Sequence, residues 1–205
     1  MIYLIITSCL VNRFGCINEQ HRNNNYINSI NTTLSLLPSC IRPIIVENNG
    51  NRKTFLDDFK IPVHYTDNNK IKYYHKGLNE LDDIKSTIEK FGINDDDIII
   101  KLTGRYHPLN NTFFNFVIEN QYKYDIFVKF FNVSTLQFAK NDCVLGLFAI
   151  KCKYLKQFNY NKNQNSNSPE VEFAMFVRNT QSNLYEINNL YLRCCFADNL
   201  RILDV

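Results

Sequence analysis

The chain has 205 residues, 45% apolar and 21% charged, which excludes a disordered protein and suits one α/β domain or at most two very small ones. Its net charge of +3, from 23 basic against 20 acidic side chains, falls short of the basic surplus of a phosphate-gripping nucleic-acid binder, so no nucleic-acid partner is expected. No apolar run approaches the roughly 20 residues that cross a bilayer. Met1 to Val11 is apolar but short, without a basic lead-in or a small-residue cleavage site, and reads as a buried strand and not a signal peptide.

In chain order, Met1 to Cys9 predicts a first strand. Tyr26, Ile27, Ile30, Leu34 and Leu37 recur at helical spacing until Pro38 stops the helix. Arg42 to Glu47 is a second strand closed by the turn Asn48-Asn49-Gly50, Thr54 to Phe59 a short helix, and Val63 to Tyr65 a third strand. Asn79 to Phe91 is helical through Leu81, Ile84 and Ile88, with Gly92 as its stop. Ile98 to Leu102, opened by Asp95-Asp96-Asp97, is apolar on both faces, as a central parallel strand covered by helices should be. Strand and helix thus alternate through the first half, the pattern of a doubly wound, mostly parallel sheet. The second half is mixed. Thr112 to Tyr122 reads as a helix, Asp125 to Asn132 and Val144 to Lys151 as strands, and Asn159 to Ser168 as a polar loop. A helix then starts at Pro169, capped by Ser168. The tail from Leu190 to Ile202 is apolar enough to pack on its own domain or on a second copy. No internal repeat or linker divides the chain.

Seven scattered cysteines (Cys9, Cys16, Cys40, Cys143, Cys152, Cys194, Cys195) form no CxxC pair. Reduced thiols and a cytoplasmic location are expected, the host's cytoplasm if the source is viral. Thirty asparagines reflect AT-rich codons, as a large DNA virus, a protist or a bacterium would use, and carry no chemistry. The sequons at Asn31, Asn110 and Asn132 mean little without a secretory signal. The four histidines are too dispersed to suggest a metal site.

In an open α/β sheet, ligands bind beyond the carboxyl ends of the strands. That rule selects Thr7, Ser8 and Asn12 after the first strand, Glu47 and Asn48 after the second, and Thr66 and Asn68 after the third. Thr103, Gly104, Arg105 and Tyr106 follow the fourth. It sets aside Asp95 to Asp97, at the amino end of their strand, as a solvated turn despite their likeness to a metal-binding DxD. Lys101 and Arg105 supply two cations beside a glycine, which suits a phosphate or diphosphate; equally, Arg105 could pair with a core carboxylate and Gly104 only make a turn. Arg22 could reach a nucleotide phosphate. Tyr26 could stack on its base, although it also fits the buried stripe. Lys76 could reach phosphate from its loop or simply be solvated, and His107 is a weak candidate. No GxGxxG follows the first strand and no P-loop is present, against a dinucleotide enzyme, a methyltransferase or an NTPase.

Four segments, IYLIITSCL, RPIIVENNG, HKGLNELDDI…DDDIIIKLTGRY and DCVLGLFAIKCKYL…SPEVEFA, occur in an order that resembles a GT-A-type nucleotide-sugar glycosyltransferase, and together they span most of the chain. The resemblance implies a Rossmann-like, doubly wound donor half over residues 1–106 and a mixed acceptor half over 107–205, in one domain. It implies a nucleotide-sugar donor, a glycan or other hydroxyl acceptor, and no further cofactor. In one respect the chain departs from the family. Where GT-A enzymes carry DxD at the end of the fourth strand, this sequence has Lys101 to Arg105, so a metal-independent variant is expected in which Lys101 and Arg105 offset the charge of the leaving diphosphate. The resemblance places the general base of an inverting transfer in SPEVEFA. Glu172, adjoining the face marked by Phe173 and Phe176, is the first choice and Glu170 the alternative; either could be a helix-start carboxylate instead. Asp142 could bind sugar hydroxyls or be a turn residue. The missing DxD leaves a second function open, a catalytically inactive nucleotide- or glycan-binding module on the same fold.

Overall fold

The computed structural model describes residues 1–11, 19–71, 73, 77–130, 142–161, 167–196 and 201–205. Its strands are β1 (Ile2–Ser8), β2 (Ile41–Glu47), β3 (Val63–Tyr65), β4 (Ile98–Thr103), β5 (His107–Pro108), β6 (Ile126–Val128), β7 (Leu147–Lys151), β8 (Leu184–Glu186), β9 (Leu192–Cys195) and β10 (Ile202–Asp204). Its α-helices are α1 (Glu19–Leu36), α2 (Gly77–Phe91), α3 (Thr112–Asn120), α4 (Cys152–Gln157) and α5 (Pro169–Asn179). The predicted helix before the third strand is a 3-10 turn, Phe55–Phe59, closed by a Thr54–Asp57 capping box.

Seven strands form one sheet in the order β3-β2-β1-β4-β7-β6-β8, with β7 antiparallel to both β4 and β6 and every other pairing parallel. The expected doubly wound, mostly parallel sheet is present, and it continues without a break from the first half of the chain into the second. A small second sheet, β10-β9-β5, is antiparallel.

Side-chain alternation in β1 feeds two cores, one on each face of the sheet. Leu4 and Ile6 pack with Tyr26 and Ile30 of α1 and with Phe113, Phe114 and Val117 of α3. Tyr3 and Ile5 pack with Leu81, Ile84 and Ile88 of α2 and with Phe173, Ala174 and Val177 of α5. All six residues of β4 are buried, Lys101 and Thr103 among them, as befits a central strand covered on both faces. Each such isoleucine stabilises the fold by roughly 1.5–3 kcal/mol on burial.

Several boundaries differ from expectation: the strand expected from Asp125 spans only Ile126–Val128, and α3 ends at Asn120 and not at Tyr122. The strand expected from Val144 begins at Leu147, because the Leu145 carbonyl accepts from Lys101 Nζ at 2.6 Å and is turned to that side chain. After Lys151 the chain does not simply leave the sheet; it turns into α4, whose Lys153 and Lys156 face Asp96 and Asp95. Among the described residues no helix is long and apolar enough to cross a membrane.

Candidate functional site

The carboxyl ends of β1, β2 and β4 converge on a crevice of about 210 Å³. Its walls come from the strand ends (Thr7, Ser8, Asn48, Thr103), from α1 (Arg22, Tyr26), from α2 (Asn79, Glu80, Asp83) and from Glu170 of α5.

The floor is a buried ion pair. Lys101 Nζ lies 3.0 Å from Glu80 Oε2, with the lysine side chain only 2% exposed and that of the glutamate 28% exposed. Nζ also donates to Thr103 Oγ1 at 2.7 Å and to the Leu145 carbonyl at 2.6 Å, so its three protons are all used. Glu80 Oε1 accepts a short hydrogen bond from the Thr7 hydroxyl and a longer one, 3.4 Å, from Thr103. Burial works to raise the Glu80 carboxyl, but Lys101, Thr7 and Arg105 outweigh it and hold it below the usual range. Burial likewise lowers the Lys101 ammonium against the pull of Glu80.

One wall is cationic. Arg22 Nε donates to the Cys9 carbonyl at 2.6 Å, and its Nη2 lies 3.3 Å from Tyr26 Oη, which also accepts from the Cys9 amide at 3.0 Å. The Tyr26 ring belongs to the core, as the buried stripe predicted, and is not open for stacking on a base; its hydroxyl is the part that meets the crevice. Arg105 Nε donates to the Cys195 carbonyl at 2.8 Å, and its guanidinium lies 5.3 Å from the centre of the Tyr106 ring. Burial alone would lower the Arg105 guanidinium, but Tyr26, Tyr106 and Glu80 overcome this and keep it charged. Among the described residues its hydrogen-bond partners are the Cys195 carbonyl and Tyr26, and Glu80 acts on it through charge.

The opposite wall is a polar knot around Asp83. That carboxylate accepts from Thr66 Oγ1 at 2.6 Å, Asn68 Nδ2 at 2.8 Å and Asn48 Nδ2 at 2.9 Å, which ties β2, β3 and the turn after it to α2. Burial pushes it up to about 6 despite those three hydrogen bonds.

Of the residues singled out from sequence, Thr7, Ser8, Arg22, Asn48, Lys101, Thr103, Arg105, Tyr106 and Glu170 line the crevice together. The others lie behind or beside it. Glu47 is fully buried and holds the Leu10 and Asn49 amides, each at 2.9 Å. Thr66 acts through Asp83, and Ser8 donates to the Val46 carbonyl at 2.8 Å from the crevice wall itself. Gly104 is a close approach: a Cβ there would stand 2.8 Å from the Thr7 carbonyl oxygen. Asp142 is buried, accepts from the Cys143 amide at 2.7 Å, and is pushed up to about 6 by that burial. Glu172 turns to the other side of α5 and accepts from the Asn161 amide at 2.8 Å. Lys76, with His75 and Asn12, lies outside the described residues. Asp95 to Asp97 sit at the far end of β4, where Asp97 accepts from the Asn94 amide at 2.9 Å. Among the described residues no three His, Cys, Asp or Glu side chains cluster as metal ligands.

Glu80 and Asp83 were not singled out. Their signal was available: a helix that follows a parallel strand begins at the carboxyl end of the sheet, so acids in its first two turns stand at the crevice. Gly77 completes the arrangement. A Cβ on it would stand 2.8 Å from Pro169 Cβ and Cγ, so glycine lets the first turns of α2 and α5 abut and brings Glu170 to the crevice of Glu80.

No protein-family model matches the sequence, and no curated protein does. Among solved structures the chain is similar to a protein from Desulfovibrio desulfuricans G20 assigned as a nucleotide-diphospho-sugar transferase, with a TM-score of 0.56 and 7% identity over 91% of this chain and 79% of that one. It is also similar to 4-diphosphocytidyl-2C-methyl-D-erythritol synthase from Anaerococcus prevotii DSM 20548, with a TM-score of 0.51 and 12% identity over 91% and 87% of the two chains. A third is the bifunctional IspDF from Campylobacter jejuni, with a TM-score of 0.52 and 14% identity over 98% of this chain and 51% of that one. At such identities the likeness is one of fold, and it agrees with the sheet described above. The chain adopts the fold of the nucleotide-diphospho-sugar transferases.

Proposed function

We propose that the chain is a glycosyltransferase that moves a sugar from a nucleotide-sugar donor to a hydroxyl acceptor with inversion and without a metal. The observation that carries this reading is that one crevice, at the strand ends, holds two guanidinium groups flanking the Tyr26 hydroxyl and a carboxylate, Glu170, from a different element. Two arginines with spare Nη donors suit a diphosphate, which they can grip in bidentate fashion.

In this mechanism the acceptor oxygen attacks the anomeric carbon while Glu170 takes its proton. The bond from that carbon to the diphosphate oxygen breaks, and the electron pair leaves with the diphosphate, whose charge Arg105 and Arg22 stabilise. Lys101 contributes its charge from beneath the floor, since its three protons are committed to protein atoms. Glu170 is preferred to Glu172 as base because it lines the crevice and Glu172 does not.

The test is turnover of nucleotide sugars in EDTA, with the anomeric configuration of the product read by NMR. Glu170→Gln should lose about 10²–10⁴-fold in rate, the usual contribution of a positioned base, while Glu172→Gln keeps it. A retained configuration contradicts inversion, and activity restored only by Mn²⁺ contradicts metal independence. Donor binding without turnover in any acceptor screen favours the inactive binding module, for which the absent DxD speaks.

A further inference from the structure

The reading above assigns residues to the diphosphate and to the proton, but none to the sugar that moves. Glu80 is suited to it. Its neighbours Leu81 and Ile84 face the core, and Glu80 lines the crevice one position earlier on α2. The carboxylate is fixed from below by the Thr7 and Thr103 hydroxyls on Oε1 and by Lys101 on Oε2. Lys101 cannot swing away, because Thr103 and Leu145 hold its other two protons. Each carboxylate oxygen can accept two hydrogen bonds, and among the described residues Oε2 meets Lys101 alone. Glu80 therefore keeps acceptor capacity on a side chain that is still 28% exposed.

The surroundings fix what kind of group would use it. The Lys101 ammonium disfavours a second cation at the same oxygen. Arg105 and Glu170 both act electrostatically on Lys101, so Glu80 stands within reach of the proposed diphosphate cation and of the proposed base. A neutral hydroxyl donor is what remains. We propose that Glu80 is a specificity-determining residue that accepts a hydrogen bond from a hydroxyl of the transferred sugar and so selects that sugar over its deoxy counterpart. The proposal rests on the nucleotide-sugar reading of the crevice.

It is tested by calorimetric titration of the full chain with UDP, GDP, dTDP and CDP, with UDP-glucose, GDP-mannose, dTDP-glucose and CDP-glucose, and with the monodeoxy analogues of whichever sugar binds. On the wild type, one analogue should bind at least about tenfold more weakly than its parent, as when a site built to bond a hydroxyl meets a ligand lacking it. Glu80→Asp keeps a charge opposite Lys101, and hence the fold, but retracts the carboxylate by one methylene. It should bind the bare diphosphate as the wild type does while the parent-to-deoxy ratio falls towards one. If diphosphates bind but the wild type discriminates against no analogue, or Glu80→Asp keeps the full ratio, Glu80 does not read the sugar and the nucleotide-sugar reading stands. If neither diphosphate nor nucleotide sugar binds the wild type, that reading fails and this inference with it. Should Glu80→Asp not fold, Glu80→Gln is titrated in its place: its neutral amide is the weaker acceptor, so the parent-to-deoxy ratio should fall, and an unchanged ratio overturns the proposal.

Discussion

At the amino end of β4, Asp95 and Asp96 face Lys156 and Lys153 across 2.6 and 3.8 Å; at its carboxyl end, Glu80 and Lys101 meet at 3.0 Å. Each contact pairs a lysine with a carboxylate. In the first pair of contacts both partners are open to solvent, where screening and side-chain entropy reduce an ion pair to about 0–1 kcal/mol. In the second the ammonium is buried, all its protons are committed, and the carboxylate is shared with two threonine hydroxyls. The strand end decides the difference. The polar groups of a parallel sheet's carboxyl edge are enclosed by the helices that start there, whereas the amino edge is met by an exposed turn.

That contrast can be broken from the carboxyl end first. Lys101→Met should destabilise the chain by roughly 3–5 kcal/mol, because Glu80 loses its enclosed partner. For a chain of this size that is about 10 °C in melting temperature by calorimetry. Equal losses from Lys101→Met and from a lysine change in α4 would erase the distinction.

The next effect is a pH dependence confined to the crevice. Asp83 is held near 6 in the folded chain, above its ordinary value, and Glu80 is the charged neighbour that adds to the effect of burial. A carboxyl raised on folding binds protons more tightly in the native state, so its stabilising contribution is present at low pH and declines as pH rises between about 4 and 6. Wild-type stability relative to Asp83→Asn should therefore fall by roughly 2–3 kcal/mol over that window. Urea titrations at steps of pH would show it, and parallel curves for the two proteins would contradict it. The smallest effect belongs to the other end of the strand. Lys156→Met should cost no more than about 1 kcal/mol, and added salt should shrink even that.

Much of this arrangement was legible before the structure. The apolar runs of β1, β2 and β4, the stripe of α1 and the capped start of α5 each follow from a local pattern, and the strand-end rule then placed Thr7, Asn48, Thr103 and Arg105 in one crevice. It also set Asp95 to Asp97 aside, despite their likeness to DxD. What escaped was what depends on partners distant in sequence. The true start of β7 hinges on a carbonyl turned to Lys101, and α4, at six residues, is too short to show a period. The choice between Glu170 and Glu172 depends on how α5 is rotated about its axis, which Phe173 and Phe176 constrain only to within a residue or two. Glu80 looked like an ordinary acid opening a helix, and only the packing of Gly77 against Pro169 shows why it and Glu170 share a crevice.

The central claim, that the arginine wall of this crevice binds a nucleoside diphosphate, is tested most directly by thermal shift. Wild type and Arg105→Ala would be screened against nucleoside diphosphates and nucleotide sugars, with EDTA and with Mn²⁺. One nucleotide at a hundred times its Kd should stabilise the wild type by about 2.7 kcal/mol in EDTA, and the variant far less at the same concentration. No shift with any nucleotide, or an equal shift in both proteins, would contradict the account.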